Sequence, residues 1–144
     1  YIDGITPSIA LILEAVDSER VKVAEALGIR AITAREWLYS AYDAHGRNLY
    51  EAIQNNPGYR GIRAPYTIYT RYITEDVPMS LVPISSFGKM LQIPTPTIDC
   101  MIHLANILHN RDYFVEGRTV EKLGLAGLSV KEIREMIVVE TNSS

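Results

Sequence analysis

Helix-start signals recur along this 144-residue chain, and they constrain it to a largely helical fold more than any other feature does. Thr6-Pro7 joins a capping side chain to a residue suited to the first helical position, and Thr95-Pro96 repeats the pattern. Thr33-Ala-Arg-Glu36 and Ser129-Val-Lys-Glu132 are capping boxes, in which each side chain bonds the other residue's backbone N–H. Each signal predicts the start of a helix.

Apolar residues follow these starts at helical spacing. From Ile9 to Leu27 they repeat every three or four positions, and Gly28 is a typical helix end. Further helices are predicted over about 34–44, over 49–54 behind a cap at Asn48, from 96 onward, and from 129 to about 138. The last four residues, 141–144, are expected to be frayed.

The segment from Tyr66 to Ile73 breaks the helical pattern. Its tyrosines and isoleucines favour a strand, although no partner strand is evident in the sequence. Pro78 and Pro83 are expected to divide the next stretch into short helical pieces. We therefore predict a single, mostly α domain over residues 1–144, a compact bundle of about six to eight helices.

Composition narrows the possible functions. A net charge of -3 and a pI near 5.6 argue against a nucleic-acid or anionic-lipid partner, and no apolar run is long enough to cross a membrane. One cysteine excludes an internal disulfide and fits a reducing compartment, so a cytoplasmic location is expected. The start at Tyr1, without an initiator methionine, suggests part of a longer protein. No metal-ligand cluster is evident from spacing.

Arg71-Tyr-Ile-Thr-Glu-Asp-Val-Pro78 sets charges into apolar surroundings, where they are costly unless paired or used. Arg71 offers a fork that can hold a carboxylate through two hydrogen bonds. The alternative is a local helical pair of Arg71 with Glu75, with Asp76 as a cap before Pro78. The single tryptophan, Trp37, could likewise pack in the core or line a ligand pocket. The residues alone leave both choices open.

Several ordered blocks between residues 2 and 126 carry a family resemblance. They are Gly4-Ile-Thr-Pro-Ser8, the stretch from Leu13 to Arg20, Glu36-Trp-Leu38, Leu49 to Ile53, Arg71 to Pro78 with Leu81-Val-Pro83, Pro94-Thr-Pro96, Asp112-Tyr113, and Glu116 to Gly124. In these blocks the chain resembles the C-terminal domain of the octopine/nopaline dehydrogenase family. The fold implied is the helical domain shared with enzymes related to 6-phosphogluconate dehydrogenase.

This resemblance implies an enzyme of two domains. An N-terminal Rossmann domain, which the chain does not contain, would bind NAD or NADP, and the helical domain would bind substrate. The implied reaction condenses the amine of an amino acid with an α-keto acid and reduces the imine to an opine. A helical dimerisation or interaction module without a catalytic role of its own is the alternative, and a homodimer is possible with either.

The resemblance also implies roles for individual residues. Arg71 falls on the position of the family's substrate-carboxylate arginine, and Trp37 matches an aromatic residue of the amino-acid pocket. Asp76 falls on the position of the aspartate that orients the catalytic histidine. That histidine would lie upstream of Tyr1, since none of the chain's three histidines is at its position. Residues 1–144 alone are therefore expected to be inactive.

Overall fold

The computed structural model describes residues 1–141, and within that range it contains helices and no strand. The α-helices are α1 Pro7–Ala26, α2 Ala34–Tyr42, α3 Leu49–Asn55, α4 Arg71–Thr74, α5 Val82–Leu91, α6 Pro96–His109, α7 Tyr113–Glu116 and α8 Val130–Thr141. A 3-10 turn occupies Pro57–Tyr59, and a π-helical turn occupies Val77–Leu81. The predicted helical fold class is confirmed.

The predicted caps form where their side chains reach the first free backbone N–H groups. Thr6 Oγ1 accepts a hydrogen bond from Ile9 N, and both halves of the Thr33–Glu36 capping box are present. The Ser129–Glu132 box also forms, and α8 runs to Thr141 rather than ending near 138. Fraying was predicted for residues 141–144; Thr141 still belongs to α8, and residues 142–144 lie outside the described residues.

The strand predicted from Tyr66 to Ile73 is wrong. Most of this segment consists of turns and bends, and α4 begins at Arg71 behind Thr70, whose Oγ1 accepts from Tyr72 N at 3.1 Å. β-Propensity produces a strand only where a neighbouring strand can take the backbone hydrogen bonds. Short helical pieces do form at the prolines: Pro78 lies in the first turn of the π-helical turn and Pro83 in the first turn of α5, although the one runs directly into the other.

Helix α1 anchors the start of three other helices through its carboxylates. The bonds run from Leu49 N to Glu14 at 2.7 Å, from Ala34 N to Asp17 at 2.7 Å, and from Thr97 N and Ile98 N to Glu19 at 2.8 and 2.9 Å. Free N–H groups at a helix start attract negative charge, so each bond satisfies donors that the helix itself leaves free. Thr95 makes no side-chain cap for α6, and Glu19 takes that role.

Two hydrophobic cores lie around α1. The first contains Val77, Val82, Ile98, Ile102, Ala105 and Tyr113, and the second contains Leu38, Ala44, Leu49, Ala52 and Ile53. Val16 packs against the first core, and Ile5, just before α1, packs against the second. The first core therefore supports the segment around Asp76, and the second supports α2, which carries Trp37. No helix among the described residues is long and apolar enough to span a membrane.

Candidate functional site

Four aromatic side chains form a continuous row on one face of the domain, and we call them the aromatic row. Trp37 contacts Tyr42 edge-on at 5.3 Å between ring centres, Tyr42 lies 6.3 Å from Tyr59, and Tyr59 stacks on Tyr1 at 5.0 Å. Trp37 is 45% exposed, which excludes the core position that its residue type would favour. A row of partly exposed aromatic residues is a surface suited to binding another molecule.

Asp76 lies near the Tyr1 end of this row. Hydrogen bonding with the Tyr72 side chain is the largest cause that raises the pKa of Tyr1, followed by burial, and the negative charge of Asp76 contributes in the same direction. Asp76 therefore lies within electrostatic range of Tyr1, and Tyr72, four positions before Asp76, is the nearer partner of Tyr1. The aromatic row thus runs from Trp37 to Tyr1, and Asp76, 39 positions from Trp37 in sequence, lies within electrostatic range of the Tyr1 end.

Backbone contacts of the neighbouring segments hold the aromatic row in place. Gln54 Nε2 donates to Ile2 O at 2.9 Å and ties the N-terminal turn to the end of α3. Asn56 is fully buried, and its Oδ1 accepts from Gly58 N at 2.9 Å, which shapes the 3-10 turn that presents Tyr59. The row is therefore built from three separate stretches that only the fold brings together.

Arg71 and Asp76 differ in their local partners. Arg71 Nη2 lies 3.3 Å from Glu75 Oε2, and both side chains are mostly exposed, so the local helical pair allowed by the sequence is present. Asp76 precedes the π-helical turn but makes no capping hydrogen bond, so the cap allowed by the sequence is absent. The exposed carboxylate of Asp76 is free of that structural role.

The histidines of the chain are engaged away from Asp76 or exposed elsewhere. His45 Nε2 lies 2.9 Å from Asp43 Oδ1, and His103 is exposed on α6. His109 is buried between Tyr113 and the carbonyl of Ile68. Among the residues whose side chains are described, no group of three or more His, Cys, Asp or Glu side chains is placed to hold a metal ion.

A groove of about 550 Å³ lies between α1, α2 and α3. Glu14 and Asp17 lie in its wall, but their carboxylates accept the backbone N–H groups of α3 and α2. Arg35 in the same wall donates to Arg47 O at 2.9 Å. The charged side chains here hold helices together, so this groove is weaker as a candidate site than the aromatic surface.

Comparison with known proteins agrees with this helical architecture. The family model of the α-helical domain of NAD/NADP octopine/nopaline dehydrogenase matches residues 1–109. An opine dehydrogenase of Arthrobacter sp. (strain 1C) is 43% identical over 95% of this chain and 38% of that protein. A vitopine synthase of Allorhizobium ampelinum is 26% identical over 80% of this chain and 32% of that protein. A tauropine dehydrogenase of Arabella iricolor is 31% identical over 52% of this chain and 21% of that protein.

The helical fold and these matches show that the chain is the α-helical domain of a dehydrogenase. More particularly, it belongs to the octopine/nopaline dehydrogenase family. It spans 38% of the length of the Arthrobacter relative and 32% of the vitopine synthase.

The structure also adds residues that the sequence interpretation did not single out. Tyr42, Tyr59 and Tyr1 continue the row from Trp37, and Tyr72 hydrogen-bonds with Tyr1. The only sequence signal for them is the excess of tyrosine, nine residues against two phenylalanines. That count cannot show which tyrosines meet, because the contacts join distant positions.

Proposed function

We propose that this chain is the substrate-binding domain of an NAD(P)H-dependent opine dehydrogenase. In the proposed reaction the amine of an amino acid attacks the carbonyl of an α-keto acid, water leaves, and the resulting imine is reduced to a secondary amine. The observation that carries the proposal is the aromatic row, whose Tyr1 end lies within electrostatic range of Asp76, in a chain of this family.

Arg71 provides the positive charge that the substrates require. Both substrates carry carboxylates, and a guanidinium can hold a carboxylate through two parallel hydrogen bonds. Arg71 is mostly exposed on the short helix α4, and its partner Glu75 is itself exposed. A substrate carboxylate can therefore exchange with Glu75, because an exposed ion pair is weak.

Asp76 is proposed to position a histidine that lies outside this chain. A carboxylate that accepts the imidazole N–H fixes the tautomer of the ring and stabilises its protonated form. Such a histidine can polarise the keto carbonyl and supply or accept the protons of the condensation. Asp76 suits this role because it is exposed and does not cap the helix behind it.

The aromatic row is proposed to form the wall against which the amino-acid side chain packs. Ring faces supply apolar contact, while the tyrosine hydroxyls remain available to polar groups. The row lies between Trp37 at one end and Tyr1, near Asp76, at the other. Substrate bound along the row would thus have its reactive end at Asp76.

NADH or NADPH would supply the hydride. The strand and glycine-rich turn that bind a dinucleotide do not occur in the described residues, so we assign cofactor binding to an N-terminal domain of the full-length protein. On this assignment residues 1–144 alone catalyse no reductive condensation. A cytoplasmic location follows from the same proposal, since that is where the reductant is available.

Kinetics of the full-length protein test the proposal. NAD(P)H oxidation is followed with amino acids and α-keto acids supplied together and separately, and the secondary amine is identified by mass spectrometry. Arg71→Ala should raise the KM for a carboxylate substrate by about 10- to 100-fold, the loss of a charged hydrogen-bonded pair. Arg47→Ala is the matched control, because Arg47 also pairs with a glutamate four residues on.

Asp76→Asn should lower kcat by about 100-fold or more, because the histidine loses the group that fixes its tautomer. The acidic limb of the pH–rate profile should also move to lower pH, since the imidazolium loses a stabilising charge. Asp43→Asn is the control, because it removes an aspartate that lies 2.9 Å from a surface histidine, His45. Unchanged kinetics in both Arg71→Ala and Asp76→Asn would refute the assigned roles.

A second candidate function, self-association, is favoured by the outer face of α6. Leu104, Ile107 and Leu108 are exposed at helical spacing, opposite the buried Ile98, Ile102 and Ala105. Apolar stripes of this kind commonly pack against another helix. Light scattering on the full-length protein should then show a dimer that Ile107→Glu dissociates and Ile137→Glu, an exposed position on α8, does not. A monomeric unmodified protein would exclude this candidate.

A further inference from the structure

We propose that residues 109–118 act as one structural unit that positions the Arg71–Asp76 segment. This unit runs from the end of α6 through α7 and binds the chain on both sides of the segment. We call this unit the α7 clamp. The proposal rests on the function proposed above, because it concerns how Arg71 and Asp76 are held for that chemistry. It assigns positioning roles to His109, Tyr113 and Gly117.

The upstream grip is a chain of hydrogen bonds that ends at Ile68, two residues before Thr70, the residue that caps α4. His109 Nδ1 lies 2.6 Å from the Tyr113 hydroxyl, and Nε2 lies 3.1 Å from the carbonyl oxygen of Ile68. A carbonyl only accepts, so Nε2 carries a proton and donates to Ile68 O; in the neutral tautomer with that proton, Nδ1 accepts from the Tyr113 hydroxyl. The Tyr69 ring also stacks on His109 at 5.0 Å.

This grip fixes the start of α4. Ile68 O also accepts from Thr70 N at 2.9 Å, and Thr70 caps the helix whose first residue is Arg71. Tyr113 is fully buried and His109 nearly so, while much of the segment they hold is exposed. The backbone that carries Arg71 is thus tied to the core through two buried side chains.

The downstream grip depends on the π-helical turn after Asp76. Within this turn Val82 N bonds to Val77 O, so Pro78 O is left without its usual helical donor. Arg118 N, from the end of the clamp, donates to Pro78 O at 3.0 Å instead. The π-helical turn therefore exposes a carbonyl that the α7 clamp binds.

Glycine at position 117 is required for the α7 clamp to approach Pro78 O this closely. A Cβ atom at Gly117 would lie 2.6 Å from Val82 Cγ1 and 2.8 Å from Pro78 O, closer than such atoms approach. Gly117 N in turn donates to Tyr113 O at 2.8 Å, so the two grips are linked directly. Asn106 Oδ1 accepts from Tyr113 N at 3.0 Å and fixes the clamp on α6.

Hydrogen exchange of the full-length protein, read by mass spectrometry, tests the two grips separately. Tyr113→Phe removes the hydroxyl and keeps the ring, so amides of residues 70–75 should exchange about fivefold faster, the effect of one lost hydrogen bond. Tyr39→Phe is the control, because Tyr39 packs edge-on against another histidine, His45, on the exposed surface. Unchanged exchange over 70–75 in Tyr113→Phe would overturn the proposal.

Two variants at His109 distinguish the effect of its hydrogen bonds from the effect of its side-chain volume. His109→Gln keeps a donor and an acceptor and should retain most of the protection, whereas His109→Leu should lose it. Gly117→Ala should speed exchange over residues 77–82, while Arg118→Ala, which keeps the backbone N–H, should not. If Gly117→Ala does not fold, the Tyr113 and His109 variants still decide whether the upstream grip exists. Equal protection in His109→Gln and His109→Leu would count against it.

Kinetics then decide whether the clamp positions the site. Tyr113→Phe should raise the KM for the carboxylate substrates by about fivefold, matching the loss of order, with a smaller change in kcat. Faster exchange without any kinetic change would show a purely structural contact and overturn the positioning role. If the unmodified protein does not catalyse reductive condensation, the proposed function is refuted. The α7 clamp is then tested by the hydrogen-exchange measurements alone.

Discussion

The carboxylate of Glu19 in α1 accepts a hydrogen bond from the backbone N–H of Ile98 at 2.9 Å, across 79 positions of sequence. Its second oxygen accepts from Thr97 N at 2.8 Å, and the side chain is only 8% exposed. One buried carboxylate therefore satisfies two N–H groups that every helix start leaves free. This contact joins α1 to α6 and supports the first core.

Loss of Glu19 should be costly for stability. Glu19→Ala leaves one buried and one partly buried donor unpaired and should lower the free energy of unfolding by about 2–4 kcal/mol. Glu25→Ala, at an exposed position of the same helix, should change it by less than about 0.5 kcal/mol. Urea unfolding measures both. Equal losses would show that the bond contributes nothing beyond helix propensity.

The capping box of α2 predicts a pH dependence of stability. Hydrogen bonds from the backbone and then the side chain of Thr33 lower the pKa of Glu36 below 4.5. A carboxyl group with a lowered folded-state pKa stabilises the fold above its unfolded pKa, and this contribution is lost as pH falls through the folded value. Glu36→Ala should therefore destabilise the domain at neutral pH, and the difference should shrink well below pH 4.5.

Thermal unfolding of both proteins across pH measures this difference. Glu25→Ala is again suitable as a control, because Glu25 lies at an exposed position of α1. A difference that stays constant from neutral pH to about pH 3 would contradict a contribution from the ionised carboxylate.

Release of Arg71 from Glu75 should strengthen substrate binding. Their contact at 3.3 Å is an exposed pair one helical turn apart, worth about 0.3–0.5 kcal/mol. Glu75→Gln should lower the KM for a carboxylate substrate about twofold, because the substrate no longer competes with Glu75. Glu51→Gln breaks the equivalent pair of Arg47 and should leave KM unchanged. A raised KM in Glu75→Gln would argue for a direct role of Glu75.

Substitution of Trp37 should change the KM for the amino acid more than the KM for the keto acid. Trp37→Leu removes the end of the aromatic row and should raise the KM for the amino acid by about three- to tenfold. Tyr39→Leu removes another exposed aromatic side chain of α2 and is the control. Equal effects of the two variants, or an effect confined to the keto acid, would place the amino acid elsewhere.

The local parts of the fold could be predicted because neighbouring residues determine them. The capping boxes at Thr33 and Ser129 and the helix behind Thr6-Pro7 form as expected. The strand from Tyr66 failed because strand formation depends on a partner far away in sequence. The π-helical turn after Asp76 was not predicted, and the bond from Arg118 N to Pro78 O beside it joins positions 40 apart in sequence.

The helical class and the helix starts could be predicted from the sequence, and the family resemblance added the candidates Arg71, Asp76 and Trp37. Helix propensity, capping and apolar spacing act within a few residues, so they can be read along the chain. The fold alone shows that Trp37, Tyr42, Tyr59 and Tyr1 form one row and that Asp76 lies within electrostatic range of its Tyr1 end. Those contacts, like Glu19 on Ile98, join distant positions, and packing of the whole domain is what brings them together.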